Sequence, residues 1–122
     1  MALVVWFDLP VRDLDRAIKF YSKVLKQKVA KCADDGKELG VLPHEGAAVG
    51  GCLVMSKKSK PSTNGALLYL SVEGRLRAAV KAAVANGGTV LAPVHAIGTY
   101  GFCAIVRDTE GNRIALHAMA NK

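Results

Sequence analysis

The chain has 122 residues, of which 51% are hydrophobic and 22% are charged, and its formal net charge is +7. This length and apolar content fit one domain over residues 1–122 with a core of its own, so we do not expect disorder. The apolar runs are too short to cross a bilayer and the N-terminus lacks the pattern of a signal peptide. We therefore expect a cytoplasmic protein without a membrane partner.

The first half of the chain predicts one strand, one helix and three further strands. Residues 2–9 are rich in β-branched and aromatic side chains, which indicates a strand that Pro10 ends. Asp13 is the expected N-cap of a helix over about residues 14–26. The polar segment 57–65 is the linker to the second half. Between helix and linker, shorter strands are predicted over 28–33, 38–43 and 48–56.

The same order of elements then repeats. A strand is predicted over 66–72 and a helix over 75–85, followed by strands over 89–95, 100–107 and 112–119. The last two strands are joined by a hairpin turn from Asp108 to Asn112. The sequence thus predicts an α+β fold made of two similar modules, about 1–60 and 65–122.

Alternation along the strands predicts one helix-packed face and one mixed face. In the first strand Phe7 and Leu9 share a face, and Trp6 and Asp8 share the other. In the last strand the apolar side chains alternate in the same way with Arg113, Ala115 and His117. Helices on one face of a sheet and such a mixture on the other are typical of a binding concavity.

The positive charge lies in two places. One is a stripe along the first predicted helix, and the other is a cluster in the linker. No helix-turn-helix, zinc-finger or RNA-binding motif accompanies them, so we do not expect a nucleic-acid partner. Preference for an anionic small ligand and plain solubility explain the charge equally well. The stripe is Arg12, Arg16, Lys19, Lys23 and Lys26, and the cluster is Lys57, Lys58 and Lys60.

Two stretches carry a family resemblance. The opening strand and helix of the glyoxalase/bleomycin-resistance/dioxygenase (vicinal oxygen chelate) superfamily resemble WFDLPVRDLDRAIKFYSKVL, and its closing module resembles GGTVLAPVHAIGTYGFCAIVRDTEGNRIALH. The resemblance implies two βαβββ modules forming a curved mixed sheet with a cup-shaped cavity, and a homodimer. The scaffold hosts lyases, epimerases, ring-cleaving dioxygenases and metal-free antibiotic-sequestering proteins, so it does not name an activity.

Metal-dependent members of that superfamily carry ligands on the first and last strands of each half. The resemblance places Trp6 and Leu67 on the first strands, Gly51 or Cys52 at the end of the first half, and Ala115 on the final strand. A divalent ion needs several convergent N, O or S donors, and of these side chains only a cysteine offers one. We therefore expect no metal at this site and no cofactor.

The ionisable side chains leave alternatives open. Asp8, Arg113 and His117 are placed to line the cavity, or else Asp8 and Arg113 form an exposed ion pair and His117 lies at a strand end. His44, in a turn, either lines the pocket or is exposed to solvent, and His95, near a strand end, either lines the pocket mouth or is an edge residue. The cysteines are odd in number and widely spaced, which argues against a disulfide framework; of these, we expect buried thiols at Cys52 and Cys103.

Aromatic side chains complete the predicted ligand-binding set. An aromatic-lined cavity suits a flat or amphipathic ligand, although the same surface is also typical of a dimer interface. The sequence favours metal-independent binding of a small molecule. Two alternatives are a lyase, isomerase or dioxygenase-type enzyme, metal-free or with an unrecognised metal site, and a protein that uses the cavity only for association. The predicted ligand-binding residues are Trp6, Asp8, Tyr69, Tyr100, Phe102, Arg113 and His117.

Overall fold

A computed structural model describes residues 3–46 and 48–122, so the start of the first predicted strand at Ala2 lies outside the described residues. Within these residues the order βαβββ occurs twice, which confirms the predicted α+β class. The elements are β1 (Trp6–Pro10), α1 (Leu14–Leu25), β2 (Ala30–Asp34), β3 (Lys37–Val41), β4 (Gly50–Val54), β5 (Leu68–Ser71), α2 (Leu76–Ala85), β6 (Thr89–Ala96), a 3-10 turn (Gly98–Tyr100), β7 (Phe102–Arg107) and β8 (Arg113–Ala118).

Each half builds its own four-stranded mixed sheet. The strand orders are β1-β4-β3-β2 and β5-β8-β7-β6. The first strand of each half is parallel to the last strand of that half, and the other pairs are antiparallel. In the described chain no ladder joins the two sheets, so the surface expected as one curved sheet consists of two.

Strand β1 begins later than the sequence predicts. Its ladder with β4 runs from the pair Trp6 and Gly50 to the pair Pro10 and Val54. The apolar residues before Trp6 lie beyond the end of this ladder, and without a partner strand their alternation does not hold them in a sheet. Residues 3–5 are consequently exposed, Leu3 almost completely at 98%.

The two helices of the described chain cover one face of the sheets and contact each other. Helix α1 packs on β3 and β4, and α2 packs on β6, β7 and β8. The Asp13 carboxylate accepts a hydrogen bond of 3.1 Å from the backbone N–H of Arg16, which confirms the predicted N-cap. A single cluster of buried apolar side chains includes Leu53 from the first half and Leu116 from the second. The halves therefore share a core.

The turn between β7 and β8 is buried, although the sequence predicts only a hairpin connection. The Glu110 side chain accepts the backbone N–H groups of Arg12 and Asp13, each at 2.8 Å, and the Nε–H of Arg16 at 2.7 Å. Burial alone raises the pKa of Glu110, but hydrogen bonds from Arg16, the Asp13 and Arg12 N–H groups and Thr109 lower it to about 2. Glu110 thus joins the second half to the start of α1.

Two further polar side chains of this turn also reach the first half. The Tyr21 hydroxyl, fully buried on α1, donates to the Asp108 carboxylate. Asn112 donates from Nδ2 to the carbonyl of Pro10 at 2.7 Å and accepts the N–H of Ser62 at 3.2 Å. Buried polar groups need partners. Asp108 also accepts the N–H groups of Glu110 and Asn112 within the turn, while the bonds to Tyr21, Pro10 and Ser62 tie the turn to the first half and to the linker.

None of the helices in the described part of the chain combines the length and hydropathy that a membrane span requires.

Candidate functional site

A cleft of about 820 Å³ lies over the face of the first sheet that α1 leaves uncovered. Trp6 and Asp8 line it from β1, Cys52 from β4 and Leu39 from β3. These side chains share a face because alternate residues of a strand point to the same side and because Asp8 pairs with Cys52. Phe7 and the buried Leu9, on the opposite face, belong to the core, as the alternation predicts. We call this cavity the Trp6 cleft.

The tryptophan ring lies across a glycine of the neighbouring strand. Trp6 stands edge-on to the imidazole of His44, with ring centroids 5.4 Å apart and planes at 88°. A Cβ atom at Gly50 would lie 2.7 Å from Cζ3 of Trp6 and 2.8 Å from Cγ of His44. Gly50 therefore leaves the space that both rings occupy. The residue Trp6 remains 42% exposed, open to the cleft.

Asp8 and Cys52 form a hydrogen-bonded pair in the Trp6 cleft. The Cys52 thiol donates to Oδ1 of Asp8 at 3.1 Å. Burial raises the pKa of Cys52, and the hydrogen bond to Asp8 raises it further, so at neutral pH the group is a thiol and a poor nucleophile. The described cysteines are all free, and Cys52 and Cys103 are buried, as predicted.

Three other predicted residues come together on the second sheet. Nε2 of His117 lies 2.6 Å from the carbonyl oxygen of Tyr100, and the Tyr69 and His117 rings form an edge contact with centroids 6.3 Å apart. Tyr69 and Tyr100 are both exposed. These residues do not line the Trp6 cleft. His95 also lies on this sheet, with Nε2 3.6 Å from the Cys103 sulfur.

Arg113 and Phe102 lie elsewhere. Arg113 shares with Asp8 a smaller cavity of about 250 Å³ between the halves, but the two form no ion pair within residues 3–46 and 48–122. Instead Nη2 of Arg113 donates to the carbonyl of Gly65 at 3.0 Å, while its Nε atom is buried and has no partner among the described residues. Phe102 is partly buried and packs against the hydrophobic core.

Other residues of the Trp6 cleft are not among the predicted ligand-binding residues. Leu39, Val54 and Met55 line it together with the predicted Trp6 and Asp8. Alternation within the predicted strands was the available signal, because Cys52 and Val54 are two residues apart and so share a face. What alternation alone did not show is which strands lie beside β1.

The donor set at the family's metal positions does not fit a metal. Trp6, Gly51, Cys52 and Ala115 lie in strands, and Leu67 lies just before β5. Among these only the Cys52 sulfur is a metal donor, and a divalent ion needs several. In the part of the chain that the structure describes, no three His, Cys, Asp or Glu residues are grouped to hold a metal ion. We therefore assign no chemical step to a metal.

Comparison with known families agrees with this architecture. The family model described as the Glyoxalase/Bleomycin resistance protein/Dioxygenase superfamily matches residues 3–116. The chain belongs to this superfamily. Among curated proteins, none matches the sequence at a significant level.

Solved structures of superfamily members share the fold at low sequence identity. A glyoxalase/bleomycin resistance protein from Albidiferax ferrireducens T118 is 21% identical with a TM-score of 0.75, covering 96% of this chain and 98% of that one. A glyoxalase-related enzyme from Fulvimarina pelagi is 16% identical with a TM-score of 0.72, covering 97% and 88%. At such identities the likeness shows a common fold and gives no information about a common activity.

Proposed function

We propose that this superfamily member binds a small aromatic or amphipathic molecule in the Trp6 cleft without a metal. The observation that carries the proposal is the position of Trp6, which is 42% exposed on the floor of a cavity of about 820 Å³. An indole held open to water on a sheet face gains contact area when a flat ligand lies on it.

The chemistry of the Trp6 cleft supports this proposal. Small-molecule sites are concave, have volumes of about 300–1,000 Å³, and combine apolar walls with a few polar groups. Here Leu39, Val54 and Met55 supply apolar surface. Charged side chains of both signs supply the polar groups, namely the carboxylates of Asp8, Asp34 and Glu38 and the ammonium groups of Lys37, Lys57 and Lys58. Burial and the hydrogen bond to Asp8 raise the pKa of Cys52, so its thiol is a poor nucleophile and the proposed binding is non-covalent.

The test is a ligand screen followed by one substitution. Because Trp6 is the sole tryptophan, a ligand that contacts it should quench or shift the protein's emission. Trp6→Ala should then weaken binding, measured by calorimetry, by about 1–3 kcal/mol. Tyr69→Ala removes an exposed aromatic from the other sheet and is the matched control. Ligands that bind both variants as tightly as they bind the wild type would contradict the proposal. Chemical turnover of a screened ligand that is lost in Asp8→Asn would favour an enzyme.

We also propose that the protein forms a homodimer through the apolar segment before β1. Leu3, Val4 and Val5 are 98%, 54% and 74% exposed, and contiguous apolar surface of this kind is typical of interfaces. Two-fold pairing is the commonest way to cover it. Sedimentation equilibrium at micromolar concentration should give the mass of two chains for the wild type.

Two substitutions locate this interface. Val5→Glu should yield a single-chain mass, because a buried unpaired carboxylate opposes association. Val84→Glu makes the same change at a 54% exposed position on α2 and should leave the dimer intact. A single-chain mass for the wild type would refute the homodimer.

A further inference from the structure

A second concavity, of about 580 Å³, adjoins the Trp6 cleft. It lies between the corner that joins β1 to α1 and the linker after β4. Met55, Ser56 and Lys57 line both cavities, so one chain segment forms their common border. A single elongated ligand can therefore contact both.

The second concavity is lined by basic side chains, and we call it the cationic groove. Arg12 comes from the corner, and Lys57 and Lys60 come from the linker. Among the described residues no carboxylate lines it. The ion pairs of residues 3–46 and 48–122 do not include these three cations, whereas the neighbouring Arg16 is paired with Glu110. Uncompensated cations around a concavity concentrate positive potential there.

Hydroxyl groups add neutral donors to the cationic groove. Ser56 Oγ accepts the backbone N–H groups of Lys58 and Ser59 at 3.1 and 3.2 Å, which fixes the turn that carries the lysines and leaves the hydroxyl proton free to donate. The backbone N–H groups of Arg12 and Asp13, just before α1, are not available to a ligand, because Glu110 accepts them. The guanidinium, ammonium and hydroxyl donors that line the groove suit an oxyanion.

We propose that the cationic groove binds the anionic group, a phosphate ester or a sulfonate, of a ligand whose aromatic body lies against Trp6. This inference rests on the proposed function, because the anionic group belongs to the same ligand whose aromatic part contacts Trp6. Arg12 offers a planar fork of donors. Lys57, within the serine turn, and Lys60, just after it, add point charges.

Two probes that differ by one sulfonate test the inference, namely anilinonaphthalene sulfonate and its uncharged parent phenylnaphthylamine. The sulfonate should bind more tightly, and added salt should reduce the difference because screening weakens exposed charge pairs. The triple variant Arg12→Gln/Lys57→Gln/Lys60→Gln should weaken the sulfonate by about tenfold and leave the neutral probe unchanged.

A charge-matched control separates the effect of the groove residues on affinity from the effect of the protein's net charge. Lys19→Gln/Lys23→Gln/Lys81→Gln removes the same charge from exposed helix positions and should leave both affinities unchanged. Circular dichroism confirms that each variant is folded. A sulfonate affinity that falls equally in both triple variants would overturn the inference.

The remaining outcomes distinguish the two proposals. If both probes bind the wild type equally and Trp6→Ala weakens both, the anionic subsite is refuted while the proposed function stands. If neither probe is affected by Trp6→Ala, both proposals fail. Binding of an oligonucleotide that depends on Arg12, Lys57 and Lys60 and excludes the sulfonate probe would replace the small ligand by a nucleic acid.

Discussion

At the scale of single residues, the Trp6 cleft depends on a glycine as much as on the tryptophan. Gly50 has no side chain, and the rings of Trp6 and His44 fill the space that a Cβ atom would take. Gly51 has the same relation to Phe7 on the core side, where a Cβ would lie 2.5 Å from the ring. Successive glycines in β4 thus admit an aromatic ring on each face of the sheet.

Gly50→Ala should displace the Trp6 ring. The atoms nearest the new methyl group belong to side chains that can move, so we expect the emission of Trp6 to shift and ligand affinity to fall, with a stability loss of only about 1 kcal/mol. Gly40→Ala is the matched control, since its Cβ would meet Ile18 of α1 at 3.0 Å on the opposite face. That variant should lose stability and keep the emission of the wild type. Unchanged emission in Gly50→Ala would contradict the role assigned to Gly50.

At the scale of elements, the turn between β7 and β8 connects the two halves of the molecule. Its acidic side chains are buried, with Asp108 3% and Glu110 2% exposed. They are tolerated in the interior because backbone N–H groups, the Tyr21 hydroxyl and the Arg16 guanidinium satisfy them. A turn composition predicts the reversal of the chain and says nothing of this burial.

The low pKa of Glu110 predicts an acid-dependent contribution to stability. A carboxyl group whose pKa falls from 4.5 to about 2 on folding stabilises the fold above pH 4.5 and loses this effect as the pH falls towards 2. Glu110→Gln should therefore lower the free energy of unfolding by about 1–3 kcal/mol at neutral pH, a range reduced because the side chain of Arg16 is half in solvent. The difference from the wild type should shrink between pH 4.5 and 2 in urea titrations.

Glu38→Gln is the control for this experiment. Glu38 pairs with Lys31 at 3.3 Å, and both side chains are largely exposed. Its free energy change should be below about 1 kcal/mol at every pH, as for other surface ion pairs. A Glu110→Gln variant with an equally small, pH-independent effect would show that the buried turn does not stabilise the fold.

At the scale of the whole molecule, the shared core indicates that the two halves unfold together. We propose that residues 1–122 form one cooperative unit, because Leu53 and Leu116 belong to the same buried cluster and Glu110 is bonded to Arg16 of α1. Contacts that span both halves make partial unfolding expose apolar surface from each.

Leu116→Ala in the second half tests this unity. It should cost about 2–5 kcal/mol and shift the unfolding midpoint seen by Trp6 in the first half as much as the midpoint seen by circular dichroism. Leu91→Ala, at a position 47% exposed in the same half, should shift neither by much. If Leu116→Ala shifts the midpoint seen by circular dichroism and leaves the midpoint seen by Trp6 unchanged, the two halves are independent domains.

The sequence by itself determined the order of the elements, the α+β class and the faces of β1. These features depend on residues only a few positions apart, so they can be predicted without knowing the fold. They are the N-cap at Asp13, the helix α1 and the alternation of Trp6 with Phe7. Tertiary structure decided where these faces meet. It separated Trp6 from Tyr69 by placing them on different sheets, because each half closes its own ladder.

Tertiary structure also decided which distant residues act together. The sequence predicts Arg12 as part of a solvated stripe on a helix, and it predicts Lys57 and Lys60 as part of a solvated linker. In the structure the linker packs beside the corner between β1 and α1, and this packing places the three cations around one groove. In the same way, the burial of Glu110 follows from its partners Arg12 and Asp13, just before α1, and Arg16 on α1. Such neighbours are fixed by strand register and by the shared core, and those depend on contacts between residues far apart in the chain.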